Sequence, residues 1–393
     1  MKHPPCASSP STSSAKPRLA QLDGLRAVAI CGVMLHHFGV KPGAWLDWGP
    51  VAPTVFFILS GFLITNSLVK MRTTGRMGWE GLTAFHIKRM ARLLPALYLM
   101  ILVGWFSGLP EYREGVGWHL SFMSSTQMAL TGEWPGSLSQ LWSLSIQEQF
   151  YMLWPLIFFL PLTWWPAAML LVAVAAVAFR LACIRLGAPS MFEWFLLPGS
   201  LDSFAAGGLL ALALRRFPAW KPGRWLTLLG GIAVAGLWVA GRALRHLEGS
   251  GSLWLALVET AEITLFSALL VLLATNSSHP LSKFLASRPL AALGKISYGL
   301  FIWHMLISTA LGPHLDAVGL TLQSGVLMRT AILFSVSLLV AWLSWIAIEK
   351  PSISWAYAAS EAMPRWFLAQ SRRWYRRAVA LATSARATGR ESL

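Results

Sequence analysis

The chain has 393 residues, of which 55% are hydrophobic and only 12% are charged. A soluble domain has about 25% charged residues, so the composition excludes an ordinary soluble protein and indicates a polytopic membrane protein. The formal net charge of +16 is therefore attributed to basic residues that set the membrane topology and contact anionic headgroups of the lipid bilayer. It is not taken as a sign of nucleic-acid binding. Cys6, Cys31 and Cys183 fit neither a disulfide framework nor a metal cluster.

Ten apolar stretches predict an all-α fold, a bundle of about ten transmembrane helices, because each approaches the ~20 residues that a bilayer requires. We expect a disordered cytoplasmic lead-in over 1–20, a membrane domain over 21–351 and a basic cytoplasmic tail over 352–393 that includes an interfacial helix. The lead-in lacks the apolar core of a signal peptide, so the first helix is expected to remain as an anchor. The stretches cover residues 22–38, 54–69, 93–109, 141–161, 166–184, 195–214, 225–241, 254–274, 294–312 and 325–348.

Lysine and arginine concentrate in alternate loops. The segments 70–92 and 215–224 are rich in basic residues, whereas 39–53 and 110–140 contain few. The positive-inside rule then places both termini in the cytoplasm of a multi-pass protein of the inner (plasma) membrane. Arg242 and Arg245 fall on the outer side and argue weakly against this orientation.

The first apolar stretch carries ionisable residues, which are costly in hydrocarbon and are seldom left there without a role. Arg26 and His37 are eleven positions apart, so they share one face of a helix, about 16 Å apart along its axis. His36 is turned away from that face by about 80°. The face offers a fixed cation near one membrane surface and a titratable base deeper in. The alternative is an anchoring arginine with two packed histidines.

A basic cluster enters the third predicted span. Lys88, Arg89 and Arg92 share one helix face at spacings of three and four. Because the arginine fork binds phosphate in a bidentate manner, a phosphorylated donor is a reasonable ligand for this cluster. The alternative is a cluster that only sets the topology of the chain.

The fourth predicted span carries Glu148 and Tyr151 on one helix face. A carboxylate that faces an imidazole can orient it and fix its tautomer, so we expect Glu148 to orient His37. Polar groups at the start of this span suit a polyol, so Trp142, Ser143 and Tyr151 are expected to bind substrate. The alternative is a helix start that Trp142 anchors at the membrane interface.

A further histidine lies in the ninth predicted span, in the segment LGKISYGLFIWHMLI. Lys295 begins this span on the cytoplasmic side, and His304 follows nine residues later. His304 is either another substrate-binding residue of the site or a core histidine with satisfied hydrogen bonds. The residues by themselves favour neither interpretation.

Several blocks of the chain resemble acyltransferase family 3, the bacterial integral-membrane acyltransferases that modify surface and exported glycans. The family's Arg-x10-His motif falls on Arg26 and His37, and its R-x-x-R motif falls on Arg89 and Arg92. The family's Glu-Glu-Gln-Phe-Tyr has Gln147 in place of its first acid, and Thr54 replaces an aspartate. The resemblance covers about 22–351, and its main blocks are LDGLRAVAICGVMLHHF, FFILSGFLIT, KRMARLLP and WSLSIQEQFYMLWP.

The resemblance implies an O-acyltransferase that takes an acyl group, most often acetyl, from cytoplasmic acyl-CoA. Acyl-CoA (acetyl-CoA) is then a co-substrate, and no tightly bound cofactor and no metal is required. The acceptor is a hydroxyl of a carbohydrate or glycolipid, such as an O-antigen of lipopolysaccharide, another surface polysaccharide or peptidoglycan. Some members carry a soluble esterase-like domain after the membrane part. Only about 40 residues follow here, so we expect that domain to be absent.

In the expected mechanism, Arg26, Arg89 and Arg92 bind the phosphates of acyl-CoA, and the pantetheine arm follows the first helix. The thioester then reaches His37, which acts as general base or as transient acyl carrier, and the sequence leaves both roles open. The rival class is a proton-coupled or sugar transporter that uses His37 and Glu148 in a relay. A third class is a catalytically silent membrane scaffold.

Overall fold

The computed structural model describes residues 19–40, 48–75, 78–218, 231–232, 235–236, 239 and 253–361. These residues form helices and connecting turns, with no strand among them. The longer helices are α1 (Ala20–His37), α2 (Trp48–Thr73), α3 (Trp79–Phe106), α6 (Leu141–Leu153), α7 (Trp165–Arg185), α9 (Leu197–Arg216), α10 (Leu253–Thr275), α13 (Ser297–Ala317), α14 (Val326–Ser344) and α15 (Lys350–Glu361). The short helices are α4 (Val116–Leu120), α5 (Ser124–Thr131), α8 (Ser190–Phe195), α11 (Pro280–Leu285) and α12 (Arg288–Lys295), with 3₁₀ turns at Pro110–Tyr112, Gly136–Leu138, Trp154–Phe159 and Leu162–Trp164 and a π-helical turn at Trp345–Glu349.

Six helical segments of the described ranges are long and apolar enough to cross a membrane. A seventh is possible if α12 and α13, which are bent by 68° relative to each other, form one broken span. The chain is thus an all-helical, multi-pass membrane protein, but the expected count of about ten spans is not confirmed. The six segments are Val51–Thr73, Trp79–Phe106, Leu162–Arg185, Ser190–Arg216, Val258–Thr275 and Val326–Ser360.

Physical reasons account for most of the difference in the span count. The helix α1 is only 18 residues long and carries several polar residues, so it falls outside the six apolar segments. The helix α6 has 13 residues and passes at Trp154 into a 3₁₀ turn that contains Pro155, because proline removes a backbone N–H from the helical ladder. The predicted span 225–241 lies almost wholly outside the described residues.

The polar helix α1 is enclosed by protein. Its residues Gln21 and Asp23 are 6% and 3% exposed, and α1 packs against α2, α11, α12 and α13. Glycine permits the closest of these contacts, since a Cβ atom on Gly24 would overlap the carbonyl oxygen of Leu285, and one on Gly294 would overlap that of Asp23. Polar side chains of α1 therefore face protein and not lipid, as expected for ionisable groups at membrane depth.

The helices α2 and α9 also pack closely, at a crossing that glycine makes possible. A Cβ atom on Gly61 would overlap the carbonyl oxygen of Phe204, and one on Gly207 would overlap that of Ile58. Small residues at such crossings let two backbones approach closely. Next to the crossing, the Phe204 ring stacks on the Phe57 ring with 4.6 Å between centroids. This packing fixes the position of α2, which forms one wall of the cavity described below.

A buried ion cluster joins α7, α9 and α10. Arg180 lies 2.6 Å from a carboxylate oxygen of Asp202 and 2.8 Å from one of Glu259. The cluster therefore connects the three helices. Separating them would leave an uncompensated buried charge, which is strongly destabilising.

Both predicted terminal regions lie largely beyond the described residues. Of the predicted lead-in, only residues 19 and 20 are described, and of the predicted tail only 352–361, which are helical. This last helix packs against α3. The Lys88 ammonium group lies 4.4 Å from the centroid of the Tyr357 ring, in a cation–π contact.

We expect Gly61→Ala to destabilise the bundle, because its methyl group would enter the backbone of α9. Overpacking of this kind costs about 1–3 kcal/mol. Gly117→Ala is the matched control, since a Cβ atom there meets nothing within 4 Å. Denaturant unfolding of the purified protein in detergent measures the difference. Equal free energies of unfolding for the two variants would contradict the assigned helix crossing.

Candidate functional site

A cavity of about 770 Å³ runs through the bundle along α2. Its lining includes α2 residues from Gly49 to Met71, which spans about 33 Å of helix rise. This length matches the ~30 Å hydrocarbon thickness of a bilayer, and the volume is that of a small-molecule site. Arg26 and His37 of α1 both lie on the cavity wall.

The cavity has two chemically different ends. The start of α2 lies beside the end of α1, since a Cβ atom on Gly49 would meet the His36 ring. Along the chain, α3 begins six positions after the other end of α2, and it is the helix that carries the R-x-x-R motif. The basic end is defined by four cavity-lining residues, Lys88, Arg89, Arg92 and Lys295. The histidine end is defined by His37, Gly49, Gln140 and Trp142, which also line the cavity. Trp142 is assigned to this end because its ring contacts Phe57 in the first half of α2, and Gln140 lies two positions before it.

A hydrogen bond joins the two histidines that the sequence singled out. The Nδ1 atom of His37 lies 2.8 Å from the Nε2 atom of His304, and the rings are nearly parallel, with centroids 5.0 Å apart. His304 is 0% exposed. Its Nδ1 atom lies 3.0 Å from the carbonyl oxygen of Leu300 and 2.9 Å from that of Phe301.

These contacts fix the direction of the hydrogen bonds. A carbonyl oxygen can only accept, so the Nδ1 atom of His304 must donate to the backbone. In the neutral imidazole the Nε2 atom of His304 is then an acceptor, and His37 donates to it from Nδ1. The Nε2 atom of His37 is consequently left with a free lone pair, which is the form of an imidazole that acts as a base or nucleophile.

Glu148 contacts an arginine in this structure. Its side chain is 0% exposed, and the Oε1 atom lies 3.6 Å from the Nε atom of Arg89. The Arg89 guanidinium also lies over the Tyr151 ring. Among the described residues, His37 is hydrogen-bonded to His304 and not to Glu148. His304 thus makes the hydrogen bond to His37 that the sequence suggested for Glu148, while Glu148 pairs with Arg89 of the R-x-x-R motif.

A small polar network lies between the two ends of the cavity. The Ser60 hydroxyl is 2.7 Å from the Tyr151 hydroxyl, and the Gln147 amide donates to the Ser60 hydroxyl at 2.7 Å and also contacts Tyr151. All three residues line the cavity. Buried polar groups that are hydrogen-bonded to one another can be kept at membrane depth without a large penalty.

Arg92, the second arginine of the motif, also has a buried acid in its surroundings. Glu349 is 1% exposed, and its carboxylate lies within electrostatic range of Arg92. The π-helical turn Trp345–Glu349 ends at this carboxylate, and such turns often mark functional positions. The Tyr298 hydroxyl donates to the Leu93 carbonyl at 2.6 Å and so fixes α13 against α3 beside Arg92.

The structure gathers the predicted site residues around one cavity. Trp142, Ser143 and Tyr151 line it, whereas His304 lies behind His37 and is not among the described lining residues. Arg26 lines it too, and its guanidinium lies 3.2 Å from Asp23. Sequence reasoning missed Ser60 and Gln140. Ser60 left one signal, a hydroxyl within the apolar segment FFILSGFLIT.

A scan of protein families matches residues 19–346 to the family described as an acyltransferase domain. The chain belongs to this acyltransferase family. The match includes the hydrogen-bonded pair His37 and His304, which we call the histidine dyad, and the R-x-x-R motif. It also includes all of the described cavity lining except Ile353 and Tyr357. No solved structure matches the chain.

Relatives in several bacteria are named O-acetyltransferases. The chain is 29% identical over 377 residues to the peptidoglycan O-acetyltransferase OatA of Listeria monocytogenes, covering 84% of this chain and 55% of that protein. It is 28% identical over 311 residues to the O-acetyltransferase OatA of Staphylococcus aureus, covering 73% of this chain and 50% of that protein. It is 27% identical over 371 residues to the putative peptidoglycan O-acetyltransferase YrhL of Bacillus subtilis, covering 84% of this chain and 54% of that protein. The chain thus spans about half the length of these relatives.

The tautomer assigned to His37 can be measured directly. We expect ¹⁵N NMR of histidine-labelled protein in detergent to show a protonated Nδ1 and an unprotonated Nε2 for His37. In His304→Ala the acceptor is lost, so both tautomers should be populated. His37→Gln identifies the signal by its disappearance. A single, unchanged tautomer in His304→Ala would contradict the assigned role of His304.

Proposed function

We propose that the protein is an integral-membrane O-acyltransferase that moves an acyl group, most simply acetyl, from acyl-CoA to a carbohydrate hydroxyl. The observation that carries the proposal is one cavity, as long as a bilayer is thick, with four cations at one end and an oriented imidazole at the other. A donor with a phosphorylated head and a long arm that ends in a thioester matches this division of charge.

The basic end would bind the phosphates of acyl-CoA. Lys88, Arg92 and Lys295 supply positive charge, and Arg89 supplies a planar fork suited to phosphate oxygens. The contacts of Arg89 with Glu148 and Tyr151 hold its guanidinium in one place. Less side-chain entropy is then lost when the donor binds.

The pantetheine arm would extend along α1 from Arg26 toward His37, over about 16 Å of helix rise. At the histidine end, Nε2 of His37 removes the proton from the acceptor hydroxyl as the hydroxyl oxygen attacks the thioester carbonyl carbon. The carbon–sulfur bond breaks, the ester forms, and the imidazolium returns its proton to the departing thiolate. His304 accepts a hydrogen bond from His37 throughout and so acts as a positioning residue.

The acceptor is proposed to be a hydroxyl of a cell-surface or exported glycan. Peptidoglycan is the first acceptor to test, because the names of two of the relatives specify it. With both termini in the cytoplasm, as the distribution of Lys and Arg predicts, the basic end faces cytoplasmic acyl-CoA. The histidine end then faces the side on which exported glycans are found.

We expect His37→Ala to lower acetyl transfer by about 100- to 10,000-fold, the range of general acid–base catalysis. The assay measures transfer of labelled acetyl from acetyl-CoA to peptidoglycan fragments by membranes that contain the protein. His36→Ala is the matched control, because His36 is adjacent on α1 but does not hydrogen-bond to His304 among the described contacts. It should retain activity within a few-fold.

The same membranes distinguish the rival classes. A transporter would move protons or sugar without consuming acetyl-CoA, and a scaffold would show no difference between the two variants. Equal transfer by His37→Ala and His36→Ala would contradict the assigned base.

A further inference from the structure

Gln140 is a buried side chain with unused hydrogen-bonding groups. The residue is 2% exposed, yet neither the Nε2 nor the Oε1 atom of its amide has a hydrogen-bond partner in the described part of the protein. Gln140 lines the cavity at the histidine end. Burying a donor and an acceptor without partners costs free energy, and a ligand that paired with both groups would recover part of that cost.

The backbone around Gln140 is firmly held. The preceding turn, Gly136–Leu138, packs against α13, the helix that carries His304. In this turn the Ser137 hydroxyl donates to Glu111 at 2.9 Å, and its oxygen lies 3.2 Å from the Tyr112 hydroxyl. The Ser143 hydroxyl donates to the Gln140 carbonyl at 3.3 Å. The main chain of Gln140 is therefore fixed, while the two polar atoms of its amide are buried without a hydrogen-bond partner among the described residues, so the side chain must turn toward the cavity to contact a ligand.

The neighbouring surface is aromatic. Trp142 lines the same end of the cavity, and its ring is held edge-on by Phe57 and Phe195, with centroids 6.3 Å and 5.0 Å away. A rigid indole beside a polar group is suited to the C–H face of a pyranose ring, which is apolar, while the ring substituents point toward hydrogen-bonding groups.

We propose that Gln140 and Trp142 form the acceptor subsite and bind one pyranose ring beside His37. The Gln140 amide would read two neighbouring ring substituents: its NH₂ group donates to a hydroxyl oxygen, and its carbonyl accepts from a hydroxyl or an acetamido N–H. This inference rests on the proposed function. It adds the residue that selects the acceptor, at the end of the cavity opposite to the phosphate-binding cations.

The test is steady-state kinetics with labelled acetyl-CoA as donor and muramidase-released peptidoglycan fragments as acceptor. Gln140→Leu should raise the KM for the fragments about tenfold or more and leave the KM for acetyl-CoA unchanged. Gln140→Glu keeps the shape and the acceptor atoms but loses the donor, so an intermediate rise is expected. It also serves as the second variant if Gln140→Leu does not fold.

Gln21→Leu is the matched control. Gln21 is also buried, at 6% exposed, but it lies outside the described cavity lining and donates to the Leu273 carbonyl at 2.9 Å. This variant should lose stability without a change in either KM.

An unchanged acceptor KM in the Gln140 variants, or an equal rise in both KM values, would overturn the inference and leave the proposed function intact. If the wild-type protein neither transfers nor hydrolyses the acetyl group of acetyl-CoA, the proposed function fails, and the acceptor subsite fails with it.

Discussion

The chemistry proposed for this protein depends on one hydrogen bond between the buried imidazole of His304 and the partly buried imidazole of His37. In water a hydrogen bond between two imidazoles would not select one tautomer of either ring, because either ring could donate. Here the Nδ1 atom of His304 lies against backbone carbonyls of its own helix, and a carbonyl cannot donate. The backbone of α13 thus sets the tautomer of His304, and His304 sets that of His37, without a carboxylate in contact with the dyad among the described residues.

The other buried charges of the cavity follow a consistent arrangement. Each arginine of the R-x-x-R motif has a buried acid near it, Glu148 for Arg89 and Glu349 for Arg92. Acids placed here moderate the cost of cations at membrane depth. The histidine end, by contrast, contains neutral groups, which include the Gln140 amide and the Trp142 ring. Positive charge and neutral hydrogen-bonding groups thereby lie at opposite ends, as the proposed transfer from a phosphorylated donor to a polyol requires.

Part of this arrangement could be predicted from the sequence, because it is local. An eleven-residue spacing places Arg26 and His37 on one face of one helix, and both line the cavity. The partner of His37 could not be predicted, since 267 positions separate it from His304 and only the packing of α1 against α13 brings them together. The partner of Glu148 depends similarly on the contact between α3 and α6. The span count differed because α1 is short and polar and α6 ends at a proline-containing turn, while the predicted span 225–241 lies almost wholly outside the described residues.

The most direct measurement is a cryo-EM structure with a bound, non-reactive thioether analogue of acetyl-CoA. The proposed arrangement requires the phosphates of the analogue to lie among Lys88, Arg89, Arg92 and Lys295, the arm to follow α1, and the thioether to lie beside the Nε2 atom of His37. An analogue bound outside the cavity, or bound with its phosphates at the histidine end, would contradict the assignment of the two ends.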